Sequence, residues 1–277
     1  MLATALIVFR EVLEAGLVVG VVLAATRGVR RRGAFAALGV AAGVAGACAV
    51  AAFADRLATL AKGTGQELFN ASVLALAVVM LAWHNIWMAR HGRKIADEAR
   101  RLGAAVVAGE RPLIVVSIVC GVALLREGAE VVLFLYGIAV SGGTGAASMM
   151  AGGAIGLLGG ALLSTVLYLG LAAVPVRSLF AVTSGLITLL AAGLAAQAVA
   201  FLQQAGYLEL WTSTVWDSSR WLPEDGLLGR VLHALIGYTD RPSGAQLAAY
   251  LAVLVVLAGL TRTVRSRVLR AASHAAA

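Results

Sequence analysis

Charge is what this chain has least of. Only 13% of its 277 residues are Asp, Glu, Lys or Arg, against 61% hydrophobic residues and a mean hydropathy of +0.91. No soluble domain of this length buries enough surface to hide that much apolar side chain, so a soluble globular fold is excluded. Cysteine is almost missing: Cys48 and Cys120 both fall in apolar runs, which excludes a disulfide framework and reads as two small core residues. There is no nucleotide-binding glycine loop, and therefore nothing that suggests ATP hydrolysis. There is no H-E-x-x-H and no serine–histidine arrangement, so an intramembrane protease finds no support. The N-terminus lacks a basic n-region, and Arg10, Glu11 and Glu14 would interrupt an h-region, so the first apolar run reads as a retained helix rather than a cleaved signal peptide.

Long hydrophobic runs are what the chain does have. Several exceed the roughly 18 apolar residues that span a bilayer as helix. The reading is an all-α polytopic membrane protein with seven transmembrane helices, at 2–25, 34–54, 68–89, 113–140, 149–173, 178–204 and 245–262. Thirty-two glycines fit, because small residues let membrane helices approach closely. The net charge of +8 and pI near 10.3 do not point to nucleic acid, since the basic residues sit in short connections. The first carries Arg27, Arg30, Arg31 and Arg32, the third Arg90, Arg93, Lys94, Arg100, Arg101 and Arg111, the fifth Arg177, and the tail Arg262, Arg265, Arg267 and Arg270. These fifteen face five in the second, fourth and sixth connections. The positive-inside rule then places the N-terminus outside and the C-terminus in the cytoplasm of an inner-membrane protein, which an odd number of spans permits.

One permease domain results. Residues 1–89 form a first three-helix repeat, 90–112 a helical cytoplasmic connection, and 113–204 a second, inverted three-helix repeat. An extracytoplasmic loop (205–244), a seventh helix (245–262) and a basic cytoplasmic tail (263–277) complete the chain. The loop holds Tyr207, Trp211, Trp216, Trp221 and Tyr238 among Glu209, Asp217, Glu224, Asp225 and Asp240. Its aromatics mark the membrane interface, and its acids could attract a cation.

Two helices break the apolar rule. Phe9–Gly16 reads F-R-E-V-L-E-A-G, and Leu124–Val131 reads L-L-R-E-G-A-E-V. Residues three apart lie about 60° apart on a helix, so Glu11 and Glu14 share a face, with Arg10 one turn from Glu14. Arg126, Glu127 and Glu130 repeat the geometry. Arg preceding Glu is the less favoured order for an i,i+4 pair, so helix stabilisation explains neither triplet. A charged residue at a span's centre costs roughly 2.5–3.5 kcal/mol, and three cancel most of what the apolar residues of such a helix contribute. The triplets must therefore face each other, or water, inside the bundle. A buried ion-pair knot would need only one pair, and four carboxylates exceed two arginines. The surplus negative charge asks for a cation or protons, and intramembrane carboxylates mark such pathways.

Three helices separate the starts of the two charged helices, so residues 1–89 and 113–204 take opposite orientations. That is the sign of a 3+3 inverted repeat plus one C-terminal helix, with its site near the midplane between repeats. Hard oxygen ligands suit hard cations, and spacing alone leaves Mg, Ca, Mn and Fe open.

R-E-V-L-E and R-E-G-A-E resemble the paired R-E-G-x-E motifs of the oxidase-dependent iron transporter family, the high-affinity iron permeases and bacterial ferrous-iron permeases. The likeness extends to W-H-N-I-W-M-A-R-H closing helix three, L-L-A-A-G-L-A-A in helix six, and the late W-D-S-S-R-W-L-P-E-D and G-Y-T-D-R-P-S stretches. Val12 stands where the family usually has glycine; Gly128 keeps the pattern. The resemblance implies iron uptake, with Glu11, Glu14, Glu127 and Glu130 as metal ligands during passage. Arg10 and Arg126 would balance charge by holding carboxylates ionised. Iron is then the transported substrate and no cofactor is bound permanently. The partner implied is a separate extracytoplasmic iron oxidase or iron-binding protein.

His84, Gln197 and Glu67 are pathway candidates beside interface, packing and solvated-loop readings. The rivals to an iron permease are a transporter of another divalent cation or of protons, a structural or sensory membrane protein, and a membrane-embedded carboxylate di-iron oxidase. The last is disfavoured because each motif ends in Glu rather than His.

Overall fold

The computed structural model describes residues 1–60, 66–141, 145–170, 176–224 and 226–274. Among them there are eight helices and no named strand: α1 Leu2–Ala25, α2 Arg32–Leu60, α3 Gln66–Val107, α4 Ile114–Ser141, α5 Ala146–Tyr168, α6 Val176–Gln204, α7 Leu227–Ile236 and α8 Gly244–His274. Within α2, α3, α5, α6 and α8 lie five segments long and apolar enough to cross a membrane: Arg32–Ala54, Gln66–Met88, Ala146–Tyr168, Ala181–Gln204 and Gly244–Thr263. The other two long helices, α1 and α4, are those that carry the charged triplets.

Several elements run past their sequence-based limits. The third apolar run predicts a span ending at residue 89, but α3 continues unbroken to Val107. Its second half turns Ala99, Gly103 and Val106 inward, with Gly103 against Ala25, and leaves the Arg100–Asp97 pair (2.8 Å) in solvent. A helical ladder thus persists where hydropathy fails. Helix α8 likewise continues beyond 262 to His274. The side chains of Arg90, Arg93, Arg177, Asp225, Arg265, Arg267 and Arg270 lie outside the described residues.

The 205–244 connection folds onto the helix ends and contains α7. Gly237, at φ 70°, ends α7 in the left-handed region open to glycine. It lies so close to α6 that a Cβ built on Gly193 would fall 2.5 Å from its Cα. Ser243 and Gln246 cap α8 reciprocally: Gln246 N donates to Ser243 Oγ at 3.2 Å, and Ser243 N donates to Gln246 Oε1 at 2.7 Å. Of the loop aromatics, Tyr207, Trp211, Trp216 and Trp221 are exposed, whereas Tyr238 is tied to Ser218 Oγ (2.5 Å) and Leu222 O (2.9 Å).

Two helix pairs are held at backbone contact by small residues. A Cβ on Gly156 of α5 would fall 2.5 Å from Ala5 O, and one on Gly160 would fall 2.8 Å from Phe9 O and 2.9 Å from Val12 Cβ. On the other side, a Cβ on Gly43 of α2 would fall 2.7 Å from Gly121 O, and one on Gly128 would fall 2.6 Å from Ala47 Cβ. Gly152 meets Met1, and Gly39 meets Ser117, in the same way. In both pairs residue numbers rise together, so α1 runs parallel to α5 and α2 parallel to α4. The absent glycine of the first motif is explained here: Val12 fits because Gly160 faces it, while in the second motif Gly128 faces Ala47. One small residue per contact is enough, on either helix.

A candidate metal site at the centre of the bundle

Helices α1, α3 and α4 converge where the triplets meet. Glu11 (1% exposed), Glu14, Glu127 and Glu130 are all buried there, and His84 of α3 (2% exposed) stands between them. Its Nε2 lies 3.4 Å from Glu14 Oε2 and 3.7 Å from Glu11 Oε2, while its Nδ1 contacts Glu130 of α4. One imidazole therefore bridges the two charged helices. Ligating atoms of Glu11, His84, Glu127 and Glu130 all fall within 4.8 Å of one another, close enough to converge on a single ion.

The arginines flank this cluster unequally. Arg10 Nε donates to Glu14 Oε1 at 2.8 Å with both side chains almost fully buried. Arg126 Nε donates to Glu130 Oε1 at 3.2 Å and lies 3.9 Å from Glu127 Oε1, but its side chain is 34% exposed. Its guanidinium rests 3.9 Å above the centre of the Trp87 ring, which in turn stacks on His91. The i,i+4 pairs form in the unfavoured order because each arginine is also held beside the other acids of the cluster.

Buried oxygens and nitrogens are normally hydrogen-bonded, and each exception calls for an explanation. Here Glu11 Oε1 and Glu127 Oε2 receive no hydrogen bond from any nitrogen donor, Arg10 Nη1 donates none, and Glu11 Oε2, Glu14 Oε2 and Glu130 Oε2 have only the His84 ring nitrogens beside them. Carboxylates crowded together in a low-dielectric interior with so few donors cost several kcal/mol each by rough reckoning. A cation among them would remove that cost.

Apolar clusters close the site at both ends. One turn from it, on the side of the α1 N-terminus, Ile7, Leu81 and Phe134 are packed in one cluster with at most 1% exposure. Towards the opposite end, Val22, Ala36, Ala99, Val116 and Cys120 form a second. Behind His84, Asn85 donates from Nδ2 to Thr188 Oγ1 at 3.3 Å and accepts from Ser184 of α6. Asn85 thus anchors the α3 turn that carries the imidazole.

The two R-E-x-x-E triplets predicted from sequence are brought together, and His84, one pathway candidate among others, stands at their centre. Gln197 and Glu67 are not part of the cluster. Gln197 is half-buried on α6, about 14 Å along the helix from Thr188. Glu67 is exposed in the first turn of α3, about 26 Å along the helix from His84. Sequence reasoning missed Ser184 and Thr188, whose hydroxyls are common in any apolar helix. It also gave Trp87 no partner, although Trp87 lies three residues from His84 and so on a neighbouring stripe of α3.

Apolar helices enclosing a buried acidic cluster mark a multi-pass membrane protein. Comparison gives the class its name: the chain belongs to the Iron permease FTR1 family, whose model matches residues 1–270. It is 29% identical over 191 residues to the ferrous iron permease EfeU of Shigella flexneri, an alignment covering 69% of this chain and 80% of that one. The same identity holds over 191 residues against the ferrous iron permease EfeU of Escherichia coli O157:H7, covering 69% of this chain and 68% of the relative. No solved structure matches. Membership in a permease family makes the protein a transporter and sets aside the oxidase alternative.

Proposed function

We propose that this protein imports iron across the cytoplasmic membrane through the cluster of Glu11, Glu14, His84, Glu127 and Glu130, with Arg10 and Arg126 balancing charge. The observation that carries the reading is the set of buried carboxylate oxygens of Glu11, Glu127 and Glu130 converging with His84 within one ion's reach. Four carboxylates against two guanidiniums leave two negative charges, which a divalent ion neutralises. The imidazole narrows the choice that oxygen ligands leave open, because nitrogen donors favour iron and its transition-metal neighbours over Mg or Ca. Both relatives are named for ferrous iron.

The proposed architecture is seven spans, with the N-terminus outside and a 3+3 inverted repeat. Its support is the register of the glycine contacts. The α1–α5 contacts Met1–Gly152, Ala5–Gly156 and Val12–Gly160 match the α2–α4 contacts Ser117–Gly39, Gly121–Gly43 and Gly128–Ala47, position for position. Exchanging first with fourth helix and second with fifth turns one set into the other, as an inverted repeat requires. The two apolar clusters would then be alternating gates, both shut here. A separate extracytoplasmic oxidase or iron-binding protein, as the family resemblance implies, would deliver iron to the outer face.

The test is uptake of radioactive iron into proteoliposomes, with and without reductant and with Mn as competitor. Expected is uptake that needs the reductant and falls at least about a hundredfold in Glu11→Gln and Glu127→Gln, about 2.7 kcal/mol. Undiminished uptake in both folded variants would refute the site.

A further inference from the structure

The cluster has a second face, away from α3. There the walls of α1, α2, α4 and α5 leave a cavity of about 600 Å³, a drug-sized volume, with Glu11 and Glu127 in its lining. Apart from Cys48 and Tyr168, its remaining surface is aliphatic or engaged: Ser164 Oγ donates to Gly160 O at 2.7 Å and Thr165 Oγ1 donates to Ala161 O at 2.8 Å. Neither arginine of the triplets, and no other cationic side chain, is among the lining residues. Glu11 is 1% exposed; its carboxyl lies against that of Glu127, and its nearest cationic neighbour is His84 Nε2, 3.7 Å from Glu11 Oε2.

We infer that this cavity binds a hydrophobic organic cation, whose apolar body fills the four-helix cleft and whose charge is met by Glu11 and Glu127. An uncharged occupant, such as a lipid chain, would leave the adjoining acids Glu11 and Glu127 against hydrocarbon, and a small hydrated cation would leave aliphatic walls in contact with water. A bulky lipophilic cation satisfies both surfaces at once. Bound there, it would take up two of the carboxylates through which iron passes and so block transport. That competition, unlike the cavity, rests on the function proposed above.

The probe is tritiated tetraphenylphosphonium, measured by equilibrium binding to the purified full-length protein, with neutral triphenylphosphine oxide as its uncharged counterpart. Expected is one saturable site per chain, weakened about tenfold or more in Glu11→Gln and in Val44→Trp, and at least about tenfold selective for the cation over the oxide. Val44 is half-exposed on the α2 rim, so an indole there fills the cavity without touching the glutamates. Leu157→Trp on the α5 wall repeats the test should Val44→Trp fail to fold. Iron uptake by these rim variants should persist and lose its sensitivity to the phosphonium. No saturable binding to folded wild type, equal binding to the rim variants, or equal affinity for the oxide would overturn the inference. Binding lost in Glu11→Gln and Val44→Trp but not displaced by iron would uphold the cavity while counting against the iron site.

Discussion

The two charged triplets have the same spacing and occupy matched positions against their glycine-bearing neighbours, yet their surroundings differ. On α1, Arg10 is 3% exposed and bonded to Glu14 inside the bundle. On α4, Arg126 reaches the edge of the cluster, 34% exposed and laid on Trp87. One motif thus builds two kinds of wall. In the α1 half the guanidinium has no low-cost alternative position. In the α4 half it sits at the edge of the cluster, shared between Glu130 and the Trp87 ring. The general point is that a repeated sequence motif dictates local geometry, while burial decides how firmly that geometry is held.

Removing the arginines should break the comparison most strongly. Arg10→Met leaves Glu14 buried with only His84 Nε2, at 3.4 Å, beside it, so it should lower stability by about 3–5 kcal/mol. Arg126→Met removes a partner held only at the edge of the cluster, and Glu130 keeps its contact with His84, so it should cost less, about 1–2 kcal/mol. Thermal unfolding of the two variants in detergent would show the gap, and equal losses would erase the distinction.

Next come the matched glycines. Gly156→Leu and Gly43→Leu each drive a side chain into the facing backbone. Each should cost about 1–3 kcal/mol or more, by similar amounts, if the α1–α5 and α2–α4 contacts are equivalent. A large loss in one and tolerance in the other would mean the two halves are not equivalent.

A smaller effect belongs to Trp87→Leu. It removes the cation–π contact under Arg126 and should cost about 0.5–1 kcal/mol. In the Arg126→Met background that loss should vanish, which a double-mutant cycle would read.

The smallest effect lies outside the cluster, in the 205–244 connection. His233 Nδ1 sits 3.1 Å from Glu224 Oε1. Their hydrogen bond raises the His233 pKa and lowers that of Glu224. A raised histidine stabilises the fold below its unfolded pKa, and that contribution is lost as pH rises through the folded value. A lowered carboxylate stabilises above its unfolded pKa and is lost as pH falls through the folded one. Both contributions coexist between the unfolded values, about 4.3 and 6.5. His233→Gln should therefore loosen this segment by under about 1 kcal/mol in that window, with less effect above neutral pH, as followed by amide exchange.

How much of this was legible from sequence depends on the kind of signal. The triplets announce themselves because three charges in an apolar run have only one affordable location, the bundle interior. His84 announced far less. It sits near the end of its apolar segment between Trp83 and Trp87, where an aromatic belt predicts an interface residue. Only the α1–α3–α4 convergence shows it between the glutamates. Lone polar residues such as Gln197 and Glu67 carry no information about which helix face meets a site. The continuation of α3 to Val107 was partly readable as a helical connection, but hydropathy has no means of joining it to the span. Val12 looked like a departure from the family pattern because its compensation, Gly160, is on another helix. Pairings across the fold are invisible to local pattern.

The account stands or falls on iron bound jointly by His84 and the glutamates of both motifs. X-ray absorption at the iron edge, on purified protein loaded with ferrous iron, tests that directly. The prediction is a shell of oxygen and nitrogen ligands with imidazole multiple scattering that disappears in His84→Leu, and iron binding that is lost in the Glu11→Gln, Glu127→Gln double variant. Imidazole scattering that survives His84→Leu, or full iron occupancy in the double variant, would contradict it.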